Sequence, residues 1–411
     1  MGEANAVQGN VGGSEFARGW RVLGGASFGV GLGIAGLLTY NLGLFTTDLG
    51  REFGLSPASY GAALLGLNIA LAIGVPLAGR AVDRFGPRAT AAAGAAALAA
   101  GFVALAFVGS VAAYATVLIL IGFFASLSAP VAHTRSVAEA FRRRRGLALG
   151  ITQVGIGLAA ALVPPLVAAQ IGRGGWSSGF LLLAGLAAGG LVPVVLGLPG
   201  RLDSDNARAA VTAETTGAPS GIFWLQLTAF AAMALAFIGI IAHFVPMLRA
   251  SGVSLERAGA LAGMIGMSVI VTRLIVGWLA DRLEPAWLGA ASCIICAGGA
   301  LALALGGPAL AVPAALALGC AIGAEADLIG ILTARNFPLS RYSRAYSMQY
   351  AAFTLAAGVS PLLVGLLTEA TGGYRVPLIL GAILLSIPVL LFAILARWAR
   401  HAEGARPADN S

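Results

Sequence analysis

The chain has 411 residues, of which 58% are hydrophobic and 10% charged, against about 25% charged in an ordinary soluble domain. A mean hydropathy of +0.90 excludes a water-soluble protein, since even a large folded domain leaves about a quarter of its unfolded-chain surface in water. All 25 cationic residues are Arg and lie between apolar runs, so the net charge of +8 reads as membrane topology, with no call for a nucleic-acid partner.

Met1 to Trp20 is polar and Gly-rich, without the short apolar core and cleavage site of a signal peptide. The first apolar run is therefore expected to stay as a membrane helix. A spanning helix needs about 20 mostly apolar residues, and twelve runs qualify: 22–45, 58–79, 89–109, 111–134, 146–169, 178–198, 221–247, 258–280, 286–306, 310–334, 346–368 and 377–397. They are numbered helix 1 to helix 12 in that order. The polar stretch Gly200 to Ser220 separates six from six. The expected organisation is a cytoplasmic tail over 1–21, a six-helix bundle over 22–198, a linker over 199–220, a second bundle over 221–397 and a tail over 398–411.

Sliding the sequence on itself by 198 residues brings Gly54, Ser56 and Gly61 onto Gly252, Ser254 and Gly259. The same offset carries Gly79, Asp83 and Arg84 onto Gly277, Asp281 and Arg282, and Gly175 and Trp176 onto Gly373 and Tyr374. A single offset from first loop to last predicts an all-α membrane protein built as two pseudo-repeated halves of six helices. With the N-terminus inside, nineteen arginines fall on one side and five on the other (Arg51, Arg173, Arg249, Arg257 and Arg375). Arginine bias places both termini in the cytoplasm. One arginine, Arg273, belongs to neither set.

The loop after helix 2 reads Gly79-Arg80-Ala81-Val82-Asp83-Arg84-Phe85-Gly86-Pro87-Arg88. Gly79 is expected to let backbones approach closely, Asp83 to face a helix N-terminus, where the dipole favours an anion, and Arg84 and Arg88 to bridge to acids. The second half repeats it with Asp281 and Arg282. This loop resembles the motif that marks the major facilitator superfamily, where it locks and releases the cytoplasmic gate. The junction of helices 4 and 5, Phe141-Arg142-Arg143-Arg144-Arg145-Gly146-Leu147-Ala148-Leu149-Gly150, resembles that of the monocarboxylate transporter and oxalate/formate antiporter branch. The chain departs from animal monocarboxylate transporters in helix 1, which lacks their aromatic acid-Gly-x-x-Trp-x-Trp entry.

Arg273 lies deep in helix 8, in Val269-Ile270-Val271-Thr272-Arg273-Leu274-Ile275-Val276-Gly277. A charge near the bilayer centre costs roughly 2.5 to 3.5 kcal/mol on insertion scales, so it should face a cavity or a partner. A guanidinium matches a carboxylate bidentately. The position is similar to the substrate-binding Arg of monocarboxylate transporters, which often carry an Asp one turn earlier, where this chain has Val269.

Helix 10 contributes two acids, Glu325 and Asp327. Two residues on a helix are about 200° apart, so the pair is not expected to share one cavity. Asp327 shares a face with Gly323 and Gly330, and Glu325 with Ile322, Ile329 and Leu332. Either acid can neutralise Arg273, exchange a proton, or pair with Arg335 at the cytoplasmic gate. His243 in helix 7 and His133 in helix 4 are candidates for substrate contact and proton relay, or else packing residues. Tyr40 and Asn41 in helix 1, Asn68 in helix 2, Gln153 in helix 5, and Gln349 and Tyr350 in helix 11 either complete a carboxylate's hydrogen bonds or staple helices.

Absences narrow the reading. The chain has no Lys, and helix 11 from Tyr346 to Thr368 has no Arg, so the second cation that oxalate/formate antiporters use for a dicarboxylate is missing. Helix 5 lacks the Gly-x-x-x-Gly-Pro-x-x-Gly-Gly stretch of proton-coupled drug exporters. Cys293 and Cys296 are spaced C-x-x-C without a second pair or a His partner, and neither a metal nor a cofactor is expected. The resemblance implies a non-enzymatic secondary transporter of the bacterial inner membrane, working as a monomer, that moves a small organic monocarboxylate with a proton. The alternatives are an exporter of an uncharged or cationic compound and a non-transporting membrane sensor.

Overall fold

In lipid a backbone amide has no water to bond, so an apolar chain satisfies itself as helix or closed barrel. The computed structural model describes residues 2–141, 145–200, 221–280, 282–337 and 339–404, and no described residue is in a strand. Nine uninterrupted described stretches are long and apolar enough to span, ten with the pair Glu15–Gly31 and Ile34–Leu44, bent by 40°. Two of these, Leu147–Gly197 and Pro285–Asn336, run 51 and 52 residues. As single helices they would be roughly 77 Å long, more than twice the hydrocarbon thickness. The first reverses at Gly175, whose φ of 76° and ψ of 173° are non-helical. The second turns at Gly307, with φ 55°, and the 3-10 turn Gly307–Leu310. Counted at these breaks, the twelve expected helices are all found among the described residues.

Their bounds are wider than expected at several ends. Helix 2 is Pro57–Phe85 and helix 3 Pro87–Leu105, separated by Gly86 alone. Helix 4 joins Val111–Phe124 to Pro130–Ala140 through a 3-10 turn. Helix 7, Gly221–Ala242, breaks at His243 before the short Phe244–Ala250. Helix 8 is Leu255–Ala280, helix 9 Pro285–Gly306, helix 10 Ala311–Asn336 and helix 11 Leu339–Thr371. Helix 12 comprises Arg375–Leu384 and Ser386–Gly404. The four consecutive arginines fall largely outside the described residues, as do Asp281 and the linker from residue 201 to 220.

The chain forms two compact units: Met1–Leu55, Gly66–Ser204 and Ser254–Gly266 in one, and Ser56–Leu65, Asp205–Val253 and Met267–Ser411 in the other. In helices 2 and 8 the start falls in one unit and the remainder in the other. These starts are the same place in the repeat, since Ser56 falls on Ser254 and Leu65 on Gly263 at the 198-residue offset. Glycine makes both attachments possible. In the second unit Gly61 lies against the Pro361 carbonyl and Leu362, and Gly365 against Pro57 and Ala58. In the first, Gly259, Gly263 and Gly266 of helix 8 lie against helix 5 at residues 160–168. Small residues let helix backbones meet where no hydrophobic effect drives them together.

Within the second unit, polar staples tie helix 7 to helices 10 and 11. Ser360 Oγ accepts from the Gly239 amide at 2.7 Å and donates to the Leu235 carbonyl at 2.7 Å. Gln349 Nε2 donates to Gln226 Oε1 at 3.1 Å, and Gln226 Nε2 to the Leu332 carbonyl at 3.2 Å. Both glutamines are fully buried, where a hydrogen-bonded amide is tolerated and an unpaired one is costly.

Candidate functional site

Helix 8 sorts its residues by the medium they meet. Met267, Val271, Leu274, Ile275 and Trp278 are exposed and form its lipid side, whereas Arg273 is about 160° from Val271 and from Ile275 at 100° per residue. Its side chain is only 10% exposed. Arg273 Nη1 lies 3.5 Å from Asp327 Oδ1, on a side chain 30% exposed. That is long for a charge-assisted hydrogen bond, which closes to about 2.7 to 2.9 Å. Arg273 Nε is buried without a hydrogen-bond partner among the described residues. The guanidinium is thus held loosely by one nitrogen, with a second donor unused.

Helix 10 meets helix 8 through Gly323, which lies against the Val269 carbonyl and Thr272, and this brings Asp327 to Arg273. Glu325 is 8% exposed, and its Oε2 has no hydrogen-bond partner among the described residues. Asp327 meets Arg273 directly, and the Arg273 charge also acts on Glu325. Glu325 in turn acts electrostatically on Tyr350 of helix 11. Tyr350 is 41% exposed, yet it lies about 140–160° around helix 11 from the exposed Met348, Leu355, Leu363 and Leu366. Arg273, Glu325, Asp327 and Tyr350 thus lie on three helices of one unit, with Arg273 and Asp327 in direct contact and Glu325 acting electrostatically on the tyrosine.

Arg335, one of the partners open to an acid of helix 10, pairs with Glu284 just before helix 9, at 3.0 Å. A reach of two turns or more back along helix 10 gives way to a shorter one across to the neighbouring loop. In the first unit Asp83 pairs with Arg135 of helix 4, not with a helix N-terminus. The two pairs occupy similar places in the repeat, one linking the end of helix 2 to helix 4 and the other the loop after helix 8 to helix 10. Neither Glu284 nor Arg135 stands out in the sequence as a pairing partner. Arg88 Nε donates to the Leu198 carbonyl at 2.8 Å, tying helix 3 to the end of helix 6. Arg84 stacks over Phe85 at 5.2 Å and Arg282 over Trp278 at 4.0 Å. Among the described residues no close approach is found at Gly79, where a Cβ would meet nothing within 4 Å. Asp281 lies outside the described residues.

His243 is fully buried at the break in helix 7. One ring nitrogen is 3.0 Å from the Pro361 carbonyl and the other 3.4 Å from the Tyr374 hydroxyl, and Tyr60 packs on the ring edge-on at 5.3 Å. Both nitrogens are engaged in packing. At the 198-residue offset His243 falls on Phe45 and Tyr374 on Trp176, and Phe45 and Trp176 also cluster through Phe180. His133 is buried against Gly29 of helix 1, with Nε2 unpartnered. Asn41 donates to the Leu37 carbonyl at 2.8 Å and leaves Oδ1 unpartnered, as Gln153 leaves Oε1. Tyr40 is half-buried. These four belong to the first unit and the Arg273 cluster to the second.

Membrane-spanning helices arranged by duplication, with ionised side chains turned away from lipid inside one half, are the architecture of a carrier for small molecules. The chain matches the Major Facilitator Superfamily over residues 28–338, and it belongs to that family. Among solved structures it is similar to a bacterial homologue of the human lysosomal transporter Spinster, inward-facing and occupied, with a TM-score of 0.73, 15% identity, and coverage of 92% of this chain and 97% of the other. A mutant of the nucleoside transporter NupG gives a TM-score of 0.72 at 14% identity, covering 92% and 99%. At these identities the likeness is one of fold. Among curated relatives, the gallate transporter of Pseudomonas putida is 26% identical over 334 residues, 70% of this chain and 72% of its own. Human monocarboxylate transporter 11 is 27% identical over 397 residues, 90% and 81% of the two chains.

Proposed function

We propose that this transporter moves a small organic monocarboxylate together with a proton, by alternating access in the bacterial inner membrane, with both termini cytoplasmic. The Arg273–Asp327 pair carries the reading. Arg273 and ionised Asp327 together are neutral. If a monoanion and a proton enter together, the proton on Asp327 removes the competing acceptor and the anion takes the guanidinium, so the loaded site is neutral again. A charge-neutral site is what a low-dielectric medium permits. The edge formed by Nε and Nη2, whose Nε has no partner while Nη1 is loosely held, suits bidentate capture of a carboxylate. Asp327 supplies from helix 10 the acid that Val269 does not supply from helix 8. The relatives named for gallate and for monocarboxylates support an anionic substrate of this class. In this reading the Asp83–Arg135 and Glu284–Arg335 pairs act in the cytoplasmic gate, and the carrier works as a monomer without a cofactor.

Uptake of labelled lactate, pyruvate and benzoate into proteoliposomes tests this. An inward proton gradient should drive accumulation, and Arg273→Gln should lower uptake at least about tenfold, the loss of a charge-assisted contact. Wild-type uptake in Arg273→Gln overturns the anchor. The presence of Asp327 beside Arg273 also admits a second reading, export of an uncharged or cationic compound with the arginine permanently neutralised. Lowered cellular accumulation of a cationic dye, without carboxylate uptake, would select it.

A further inference from the structure

We propose that the carried acid is aromatic and bears a hydrogen-bonding ring substituent: its carboxylate sits on Arg273, its ring lies against Tyr350, and its substituent meets Glu325. This rests on the reading of Arg273 as a carboxylate anchor and narrows it to a substrate class. Helix 11 carries three rings at spacings of four and three residues, which place them in one row. Tyr346 and Tyr350 are nearly parallel, with centroids 6.0 Å apart and planes at 7°. Tyr350 and Phe353 follow at 6.3 Å and 24°. Near-parallel rings with such wide centroid spacing are offset, so neither neighbour covers the whole Tyr350 face. Phe353 is 7% exposed and roots the row in the packed interior.

A row of rings on a helix is commonly no more than surface packing, but Tyr350 does not fit that description. It keeps two-fifths of its surface open on the side of helix 11 opposite the lipid-facing leucines, within the field of Glu325. Glu325 supplies the independent observation. It is more than nine-tenths buried, with an oxygen that has no hydrogen-bond partner, and a buried polar atom left unpaired is costly. In the loaded site protonated Asp327 stays beside the ligand's carboxylate end at Arg273, so Glu325 is the polar group left to meet a second polar point on the ligand. An aliphatic acid as short as lactate would leave the ring face and this carboxyl unused. A planar acid such as a hydroxybenzoate engages all three.

Proteoliposomes containing the full chain are assayed at one fixed pH with labelled benzoate, 4-hydroxybenzoate, cyclohexanecarboxylate and lactate. Benzoate and cyclohexanecarboxylate share size and charge but not a π-face. Wild-type protein should favour benzoate by about 3- to 10-fold, the range of an aromatic pair, and favour 4-hydroxybenzoate further. In Tyr350→Leu the benzoate to cyclohexanecarboxylate ratio should fall to near one, whereas Tyr350→Phe should retain it, which separates loss of the ring from misfolding. Glu325→Leu should abolish the added preference for the hydroxylated acid. Equal handling of benzoate and cyclohexanecarboxylate by the wild type, or an unchanged ratio in Tyr350→Leu, overturns the aromatic assignment while Arg273-dependent lactate uptake leaves the broader reading standing. Absence of Arg273-dependent uptake for all four acids overturns both.

Discussion

Arg273 and Asp327 meet through one long contact, and that length makes the pair exchangeable. A short bidentate pair would be hard to break inside the membrane, and the carrier would have to break it on every cycle. A 3.5 Å contact to a partly open aspartate can yield to a better-placed carboxylate. On the proposed reading, ionised Asp327 competes with the substrate for the same cation, and protonated Asp327 does not. Affinity for a monocarboxylate should therefore be higher at mildly acidic pH and fall as pH rises through the titration of Asp327. Asp327→Asn removes the competitor at every pH. Its affinity should match or exceed that of the wild type at acidic pH and stay flat on alkalinisation, as read by benzoate titration of purified protein in detergent. Wild-type pH dependence in Asp327→Asn would move the proton site elsewhere, with Glu325 the next group to examine.

At the scale of elements, the helices are legible in the sequence because apolar length is a strong signal, and Arg273 is legible because a charge inside such a run demands a reason. Its partner is not. Two acids on one helix announce their angular separation, but which neighbouring helix each meets depends on packing, and that is decided by small residues such as Gly323 against Val269. His243 is ambiguous for a related reason, since only the neighbouring stretch of helix 11 shows that the Pro361 carbonyl takes one ring nitrogen. The division of helices 2 and 8 between the two units is hidden as well, although the glycines that allow it stand in the repeat. These glycines give a direct test. A Cβ at Gly266 would fall on the backbone of Ala160 and Ala161, which has nowhere to go, whereas one at Gly277 would meet nothing within 4 Å. Gly266→Leu should lower the apparent melting temperature by several degrees, in line with an overpacking cost of about 1 to 3 kcal/mol, and slow transport. Gly277→Ala should do neither. Thermal melts of the two purified variants beside the wild type provide the comparison.

For the whole molecule, the arginines state an orientation that the helices alone do not. Nineteen on one side against five on the other is far from an even division, and cationic loops are the ones retained in the cytoplasm during insertion. Arg84 and Arg282 lie at helix ends or loops of the rich side, Arg173 and Arg375 at those of the poor side, and all four are exposed. The native thiols interfere little: Cys293 and Cys296 are fully buried, and the partly exposed Cys320 is removable as Cys320→Ala. In that background, Arg173→Cys or Arg375→Cys should react with a membrane-impermeant maleimide on intact cells. Arg84→Cys and Arg282→Cys should react only after permeabilisation. The opposite pattern would invert the carrier, and with it the side on which the Asp83–Arg135 and Glu284–Arg335 pairs operate. Each of the four substitutions removes one charge of 25, leaving the asymmetry that sets the orientation in place, so the label reports the native topology.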